Sequence, residues 1–300
     1  MDRRKFLGIM ALGVGTLALA GAADPIIRIG GYADVASMLA VNPFYVAHHG
    51  CSRSWPEMSL YAYAQSVGKG FGALELSLAR TRDGVWFGLH DDSLDRTSGV
   101  TGKIASTMTW AQVQTYQILA STAQDDPTQP SRPYMRWEEI IAAFYPSHVI
   151  FVDPKSAFAY HHEIMAKMNA LPGTPQDHLV CKYYGVSGNA RNTSGWARLA
   201  ADNGYRRWGY FYAADSADYE AYQGRWDILG LDHAADAHLW VTMLAYGKPV
   251  IAHIVPNRAS VINARAKGAV GLMASGAGAG SAGGIEIRST DHHLVTKRAD

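Results

Sequence analysis

Short apolar runs, each bounded by polar or turn-forming residues, recur along the chain between residues 44 and 273. Such runs are typical of buried β-strands, and eight of them form a series with longer segments between them. The predicted strands span 44–47, 73–78, 149–152, 179–182, 207–211, 227–231, 250–254 and 269–273. Strands that alternate with helices predict a parallel sheet, and eight such strands predict an α/β fold of the (β/α)8 TIM-barrel type.

The segments between most of these strands have the apolar spacing of helices. Helices are predicted at 110–119, 136–144, 161–171, 194–203, 234–246 and 258–267. Thr109 is a candidate N-cap for the first of them. The polar, proline-bearing segment 121–133 is predicted to be a surface loop, and the Gly/Ala/Ser tract 275–284 a flexible linker. We therefore predict a single barrel domain at 24–274, followed by a linker and polar tail at 275–300.

One further apolar run, 85–89, does not fit the alternation. It follows the second strand across the turn signal Asp83-Gly84. A link this short cannot carry a parallel crossover, which needs about a dozen residues. The two runs are therefore predicted to form a hairpin, which returns His90 toward the end of the strand that carries Glu75.

The first 23 residues are predicted to be an export signal. They open with Asp2-Arg3-Arg4-Lys5-Phe6-Leu7, which is typical of a twin-arginine signal, followed by a modestly apolar run interrupted by glycine. The alternative is a membrane anchor, but this run of about 15 residues is short against the roughly 20 that a spanning helix needs. We therefore expect a secreted or periplasmic protein without a stable membrane anchor, and leave open whether the signal is cleaved.

Composition and charge narrow the range of partners. Hydrophobic residues make up 48% of the 300 residues and charged residues 18%, with a formal net charge of +1. This balance implies neither a nucleic acid nor an acidic membrane surface as partner, and it leaves the oligomeric state open. The two cysteines, Cys51 and Cys181, could pair in an exported protein, although two isolated thiols are the simpler interpretation.

Chemically capable residues follow the first three predicted strands. His48 ends the first strand, Glu75 lies on the second, Asp153 ends the third, and the hairpin returns His90 over the second. The carboxyl ends of the strands form the active-site face of such barrels, so these four side chains are expected to converge there. Two histidines that face two carboxylates favour a catalytic site over isolated surface residues.

Six short motifs between residues 48 and 97 carry a family resemblance. They are His48-His49-Gly50, Pro56-Glu57-Met58-Ser59, Glu75-Leu76-Ser77, Thr81-Arg82-Asp83-Gly84, His90-Asp91 and Arg96-Thr97. In order and spacing they resemble the opening block of the glycerophosphodiester phosphodiesterase family of phospholipase-C-like barrels. In that family the block reads His-Arg-Gly, Pro-Glu-Asn-Thr, Glu-x-Asp, Thr-x-Asp-Gly, and His-Asp followed by Arg-Thr.

The resemblance implies a phosphodiesterase that acts on glycerophosphodiesters or related lipid head-group phosphodiesters, which are small molecules. It implies His48 and His90 as the acid and base. It also implies a divalent cation, calcium or magnesium, held by three residues, and two residues that contact the phosphate. The implied metal ligands are Glu75, Ser77 and Asp153, and the implied substrate-binding residues are His49 and Lys155.

Two departures from the family pattern bear on this expectation. Ser77 replaces a carboxylate in a site whose cation prefers carboxylate oxygens, so the metal site is expected to be weak. His49 replaces an arginine, and an imidazole cannot form the two-pronged phosphate contact of a guanidinium. Asp91 is a conceivable substitute ligand.

Two alternatives stay open at this stage. A phospholipase D or sphingomyelinase-like relative would share the barrel and both histidines, and would differ in the bond that it cleaves and in forming a cyclic phosphate. A degenerate barrel that binds a phosphate ester without turnover is the non-enzymatic alternative. The changes at Ser77 and His49 favour it, whereas the retained His48 and His90 oppose it.

Overall fold

The computed structural model describes residues 30–155, 157–187, 193–280, 285–290 and 293–298, the last two ranges by their backbone only. The predicted export signal at 1–23 lies outside these residues and stays a prediction. Within the part of the chain that the structure describes, no helix combines the length and the apolar character needed to cross a membrane.

The described residues form thirteen strands, numbered in chain order. They are β1 (Phe44–His48), β2 (Ala73–Arg80), β3 (Trp86–Gly88), β4 (Gln117–Ile118), β5 (Arg132–Pro133), β6 (Val149–Asp153), β7 (Leu179–Tyr184), β8 (Arg206–Phe211), β9 (Ile228–Asp232), β10 (Val250–Val255), β11 (Gly271–Ala274), β12 (Ile285–Thr290) and β13 (His293–Arg298). Strands β12 and β13 pair with each other, antiparallel, within the predicted tail.

The α-helices are numbered in the same way. They are α1 (Val35–Leu39), α2 (Leu60–Gly68), α3 (Asp95–Ser98), α4 (Trp110–Val113), α5 (Trp137–Phe144), α6 (His161–Asn169), α7 (Pro175–His178), α8 (Thr193–Asp202), α9 (Tyr219–Tyr222), α10 (Ala237–Leu244), α11 (Arg258–Ala266) and α12 (Ala277–Gly280). One-turn or two-turn 3₁₀ helices lie at Ala105–Thr107, Ala120–Thr122, Phe158–Tyr160, Ala213–Asp218 and Gln223–Arg225.

Eight parallel strands close into a barrel. Their order around the barrel is β1, β11, β10, β9, β8, β7, β6 and β2, and β2 pairs with β1 to complete the circle. The predicted eight-stranded parallel barrel is thereby confirmed. The predicted hairpin is also confirmed, since β3 runs antiparallel to β2 with Leu78 opposite Gly88.

The inward and outward faces of the strands follow the period of two. Phe44 and Val46 of β1, and Trp208 and Tyr210 of β8, belong to a buried cluster formed largely by alternate strand residues inside the barrel. The residues between them join a second cluster formed with the surrounding helices. Continued to the carboxyl ends of the strands, the inward positions are polar, and this is where the candidate site lies.

Two predicted segments differ from the structure. The helix predicted at 110–119 ends at Val113, although Thr109 does cap it, because Gln117 and Ile118 pair with β5 and bury Ile118. The predicted linker does not begin at 275, since Ser275, Ala277 and Ala279 are buried against the barrel. Cys51 and Cys181 are both buried free thiols.

Candidate functional site

Four neighbouring strands deliver the polar side chains of the site. Their register sets His48 beside Glu75 on β1 and β2, and Ser77 beside Asp153 on β2 and β6. The next strand, β7, carries Lys182 at the inward position that follows Val180. All five side chains are buried toward the carboxyl ends of these strands, where the sequence predicted that His48, Glu75 and Asp153 would converge.

A buried ion pair lies at the centre of this group. The Nζ atom of Lys182 donates to Oε1 of Glu75 at 2.7 Å and lies 3.3 Å from Oδ2 of Asp153. Burial raises the pKa of Glu75, but the charge of Lys182, the neighbouring His48 and the hydrogen bonds to the carboxylate together outweigh it and bring that pKa down to about 2. Burial lowers the pKa of Lys182, and the two carboxylates more than reverse this, so its pKa is raised. Both groups are therefore charged at neutral pH.

His49 and Ser77 complete the shell around Glu75. The backbone N–H of His49 donates to Oε2 of Glu75 at 3.0 Å, and the hydroxyl of Ser77 donates to Oε1 at 3.1 Å. The ring Nε2 of His49 lies 3.2 Å from the Ser77 hydroxyl. Burial and the neighbouring His48 hold the pKa of His49 well below its usual value. His49 is thus a neutral group turned toward Glu75, and it is not among the described residues that line the cavity.

The two predicted acid–base histidines both face the cavity. The ring of His48 stacks on that of His49 with 3.7 Å between the centroids, and the ring of His90 lies 5.2 Å from His49. Burial lowers the pKa of His48 to about 3, so its ring is neutral at neutral pH. Among the described residues, Nδ1 of His48 has no hydrogen-bond partner.

A chain of ion pairs orients His90. Its Nδ1 lies 2.7 Å from Oδ1 of Asp91, whose other oxygen accepts from Nε of Arg96 at 2.6 Å. The terminal nitrogens of Arg96 donate to both carboxylate oxygens of Glu57 at 2.8 and 2.9 Å. The hydrogen bond to His90 and the contacts with Arg96 lower the pKa of Asp91. Asp91 therefore positions His90 and is not a substitute metal ligand in this arrangement.

The cavity at the barrel mouth lies between the two histidines and an aromatic wall, which is formed by Trp208, Tyr210 and Tyr212 beside Lys155. Nζ of Lys155 donates to the hydroxyl of Tyr210 at 2.9 Å and lies 4.0 Å from Oδ2 of Asp153. The cavity is lined by His48, His90, Lys155, Lys182, Trp208, Tyr210, Tyr212, His253, Ile254 and Met273.

Sequence reasoning missed Lys182 and His253. Each is a charged or titratable residue inside an otherwise apolar strand, in LVCKYY and VIAHIV respectively. Each also has the parity of a core residue two positions earlier, Val180 or Ile251. A polar residue on the inward parity near the end of a barrel strand is the signal that would have identified both.

The predicted metal ligands do not fit a calcium or magnesium ion. Both oxygens of Glu75 are already engaged, Ser77 donates its proton to Glu75, and Asp153 faces the ammonium of Lys182. A group that could hold some metal ion does exist, because ligand atoms of His48, His49 and Glu75 lie within 4.8 Å of one another. Two of its three ligands are imidazoles, whereas calcium and magnesium bind through oxygens.

Comparison with known proteins shows which protein family this sequence resembles. Residues 48–163 match the sequence model of the glycerophosphoryl diester phosphodiesterase family. The resemblance to this family is confirmed. The matched segment includes all seven residues that the sequence assigned to the site.

Similar proteins carry the same family name. A probable glycerophosphodiester phosphodiesterase 1 of Mycobacterium tuberculosis is 32% identical over 139 residues, which is 45% of this chain and 50% of that protein. The human glycerophosphodiester phosphodiesterase 1 is 28% identical over 140 residues, which is 46% of this chain and 42% of that protein. The chain therefore spans about half the length of the curated relatives that it matches.

Solved structures agree in fold. A glycerophosphoryl diester phosphodiesterase structure from Silicibacter pomeroyi superposes with a TM-score of 0.62 at 16% identity, over 84% of this chain and 94% of that one. An Oleispira antarctica phosphodiesterase, solved with the product sn-glycerol-3-phosphate, gives 0.61 at 19% identity, over 78% and 93% of the two chains. At these identities the superpositions establish the fold.

Proposed function

We propose that this protein is a phosphodiesterase that hydrolyses glycerophosphodiesters or related lipid head-group phosphodiesters. The observation that carries the proposal is the pair His48 and His90 facing Lys155 across one cavity at the barrel mouth. All three residues lie in the segment that matches the family. The names of the similar proteins support this substrate class.

Hydrolysis of a phosphodiester requires two proton transfers, one from the attacking water and one to the leaving oxygen. Water attacks phosphorus and forms a P–O bond, a base takes its proton, the P–O bond to the alcohol breaks, and an acid protonates the leaving oxygen. Two histidines in one cavity meet both needs. The net products are a phosphomonoester and an alcohol.

We assign the base to His48. Its ring is neutral in the free protein because burial lowers its pKa to about 3. A bound phosphodiester brings a negative charge beside the ring, which favours the protonated imidazole and raises this pKa toward neutrality. His48 can then accept a proton in the presence of substrate.

His90 is assigned to the leaving group. Its Nδ1 is held by Asp91, so Nε2 is the atom left for proton transfer. Lys155, anchored by Tyr210 at the same cavity, provides positive charge for the phosphoryl oxygens.

The test is hydrolysis of a panel of glycerophosphodiesters by the wild-type protein and by His48→Ala and His90→Ala. Each substitution is expected to lower kcat by roughly 10²–10⁴-fold, the usual contribution of a positioned proton-transfer group. His238→Ala, at an exposed position on α10, is the matched control. Wild-type turnover in either site variant would remove that histidine from the mechanism.

The same assay separates the alternatives. A cyclic phosphate product would indicate the sphingomyelinase or phospholipase D type of reaction. Binding of phosphodiesters without any turnover by the wild-type protein would indicate the degenerate barrel.

Export is proposed separately, on the sequence of residues 1–23 alone. A fusion of these residues to a reporter is expected to be exported only while Arg3 and Arg4 are both present, since this pathway reads the paired arginines. Unchanged export after replacing both with lysine would point to a general secretory signal or an anchor.

A further inference from the structure

The ammonium group of Lys182 lies where the family resemblance implies a divalent cation. It contacts two of the three implied metal ligands, at 2.7 Å from Glu75 and 3.3 Å from Asp153. We propose that Lys182 replaces the cation, and that this protein binds its phosphodiester substrate and works without a calcium or magnesium ion. The catalytic part of this inference rests on the proposed function, whereas the exclusion of the cation does not.

The charges of the site balance without a metal. Glu75 and Asp153 contribute two negative charges, and Lys155 and Lys182 contribute two positive charges. The loss of a carboxylate at Ser77 and the presence of Lys182 together shift the charge by two positive units, which is the charge of the implied cation. A calcium or magnesium ion added to this arrangement would leave two uncompensated positive charges in a buried site, at a large cost in free energy.

The surroundings of Lys182 hold it in place. Its side chain is 5% exposed, and its Nζ lies 5.7 Å from the ring centroid of Trp208 and 5.3 Å from that of Tyr210. Aromatic faces at these distances attract a cation. The Ser77 hydroxyl donates to the same oxygen of Glu75 as Lys182 does, and the His49 backbone N–H donates to the other. A metal ion that took both Glu75 and Asp153 as ligands would therefore have to displace a buried, ion-paired lysine.

Lys182 is also placed to contact the substrate. It lines the same cavity as His48, His90 and Lys155. An ammonium group has three N–H donors and a fixed positive charge, so it can stabilise negative charge on phosphoryl oxygens. It cannot act as a Lewis acid on water, and the proton transfers therefore fall entirely to the two histidines.

The first experiment uses the wild-type protein. After dialysis against a chelator, it is titrated with calcium and with magnesium in a calorimeter, and its Tm is measured with and without each ion. We expect no heat of binding, no shift in Tm, and the same kcat/KM in chelator as in added cation. Binding of one ion per chain that disappears in Glu75→Gln, or activity lost in chelator and restored by the ion, would overturn the proposal.

The second experiment removes the ammonium. Lys182→Met is expected to lower kcat/KM by at least about 10²-fold, the scale of losing one charged or hydrogen-bonding stabiliser of the transition state. Lys167→Met, at a lysine paired with Glu138 on the protein surface, is the matched control. Wild-type kcat/KM in Lys182→Met would show that the ammonium does not serve the reaction, and would overturn that part of the proposal.

The third experiment restores the implied metal site. Ser77→Asp combined with Lys182→Ala provides three carboxylates and removes the ammonium that lies between Glu75 and Asp153. This double variant is expected to gain calcium or magnesium binding, read by calorimetry and by a rise in Tm. Ser77→Asp alone is expected to gain none, because Lys182 remains. A folded double variant that binds neither ion would show that Lys182 is not what excludes the cation.

These outcomes also separate the two proposals. If the wild-type protein hydrolyses no phosphodiester, the proposed function is contradicted. The calorimetry and Tm measurements still decide whether Lys182 excludes a cation. If either variant does not fold, the wild-type titration decides alone.

Discussion

His90 is held by a carboxylate that belongs to its own motif. Asp91 accepts a hydrogen bond from Nδ1 of His90 and another from Arg96. Both carboxylate oxygens of Glu57 accept hydrogen bonds from the same Arg96. Three charged side chains thus determine the direction of one imidazole. Glu57 is buried, and the side chain of Arg96 covers it from a half-exposed position.

Asp91→Asn tests this positioning role. The substitution removes the negative charge that holds a proton on Nδ1 of His90, so we expect kcat to fall at least about tenfold with a smaller change in KM. The pH dependence of kcat should change as well, which a purely structural defect would not produce. Asp92→Asn, at the exposed neighbouring carboxylate, is the control and is expected to leave both the rate and the profile unchanged.

At the scale of elements, β8 is positioned by a close approach to an aromatic ring. Gly209 faces outward between Trp208 and Tyr210, and a Cβ atom there would lie 2.3 Å from the indole ring of Trp226. Trp226 is itself buried, and its Nε1 donates to the carbonyl oxygen of Gly185. The strand that carries the aromatic wall of the cavity therefore requires glycine at this position.

Gly209→Ala is expected to lower the free energy of unfolding by about 1–3 kcal/mol, the usual cost of overpacking a core. Urea unfolding measures it. Gly224→Ala is the control, because a Cβ atom at this exposed position meets nothing within 4 Å, and its change should stay within about 0.5 kcal/mol. An equal effect in both variants would contradict the packing argument.

At the scale of the whole molecule, five buried histidines make the fold sensitive to acid. Burial lowers the pKa to about 3 in His48 and His253, to about 4 in His148 and His161, and well below its ordinary value in His49. In the unfolded chain each titrates near its ordinary value of 6.5. As the pH falls below 6.5, the unfolded chain takes up protons that the folded protein does not, and stability decreases.

We therefore expect Tm to be highest above pH 6.5 and to fall steadily between pH 6.5 and 4. Each fully buried histidine contributes on the order of a few kcal/mol to this loss. His161→Gln should make the decline shallower, since a glutamine does not titrate there. His238→Gln, at an exposed position, should leave the slope unchanged. A Tm that is flat from pH 7 to 4 would contradict this account.

The sequence by itself determined the barrel, the hairpin and the end of the barrel at which the site lies. These features follow from local patterns, because the period of two and the short Asp83-Gly84 turn depend only on neighbouring residues. The convergence of His48, His90, Glu75 and Asp153 followed from the shared direction of parallel strands. The helix at 110–119 was predicted too long because the pairing of Gln117 and Ile118 with β5 is not local.

Only the tertiary structure decided what surrounds Glu75. Lys182 is 107 residues away along the chain, and its contact depends on the strand order and on the register of β2, β6 and β7 together. The surroundings of Ser77 were decided in the same way, since its hydroxyl donates to Glu75 only once the barrel closes. The sequence of one strand shows which of its side chains point inward. Which charged partner an inward side chain contacts depends on the order and register of the neighbouring strands.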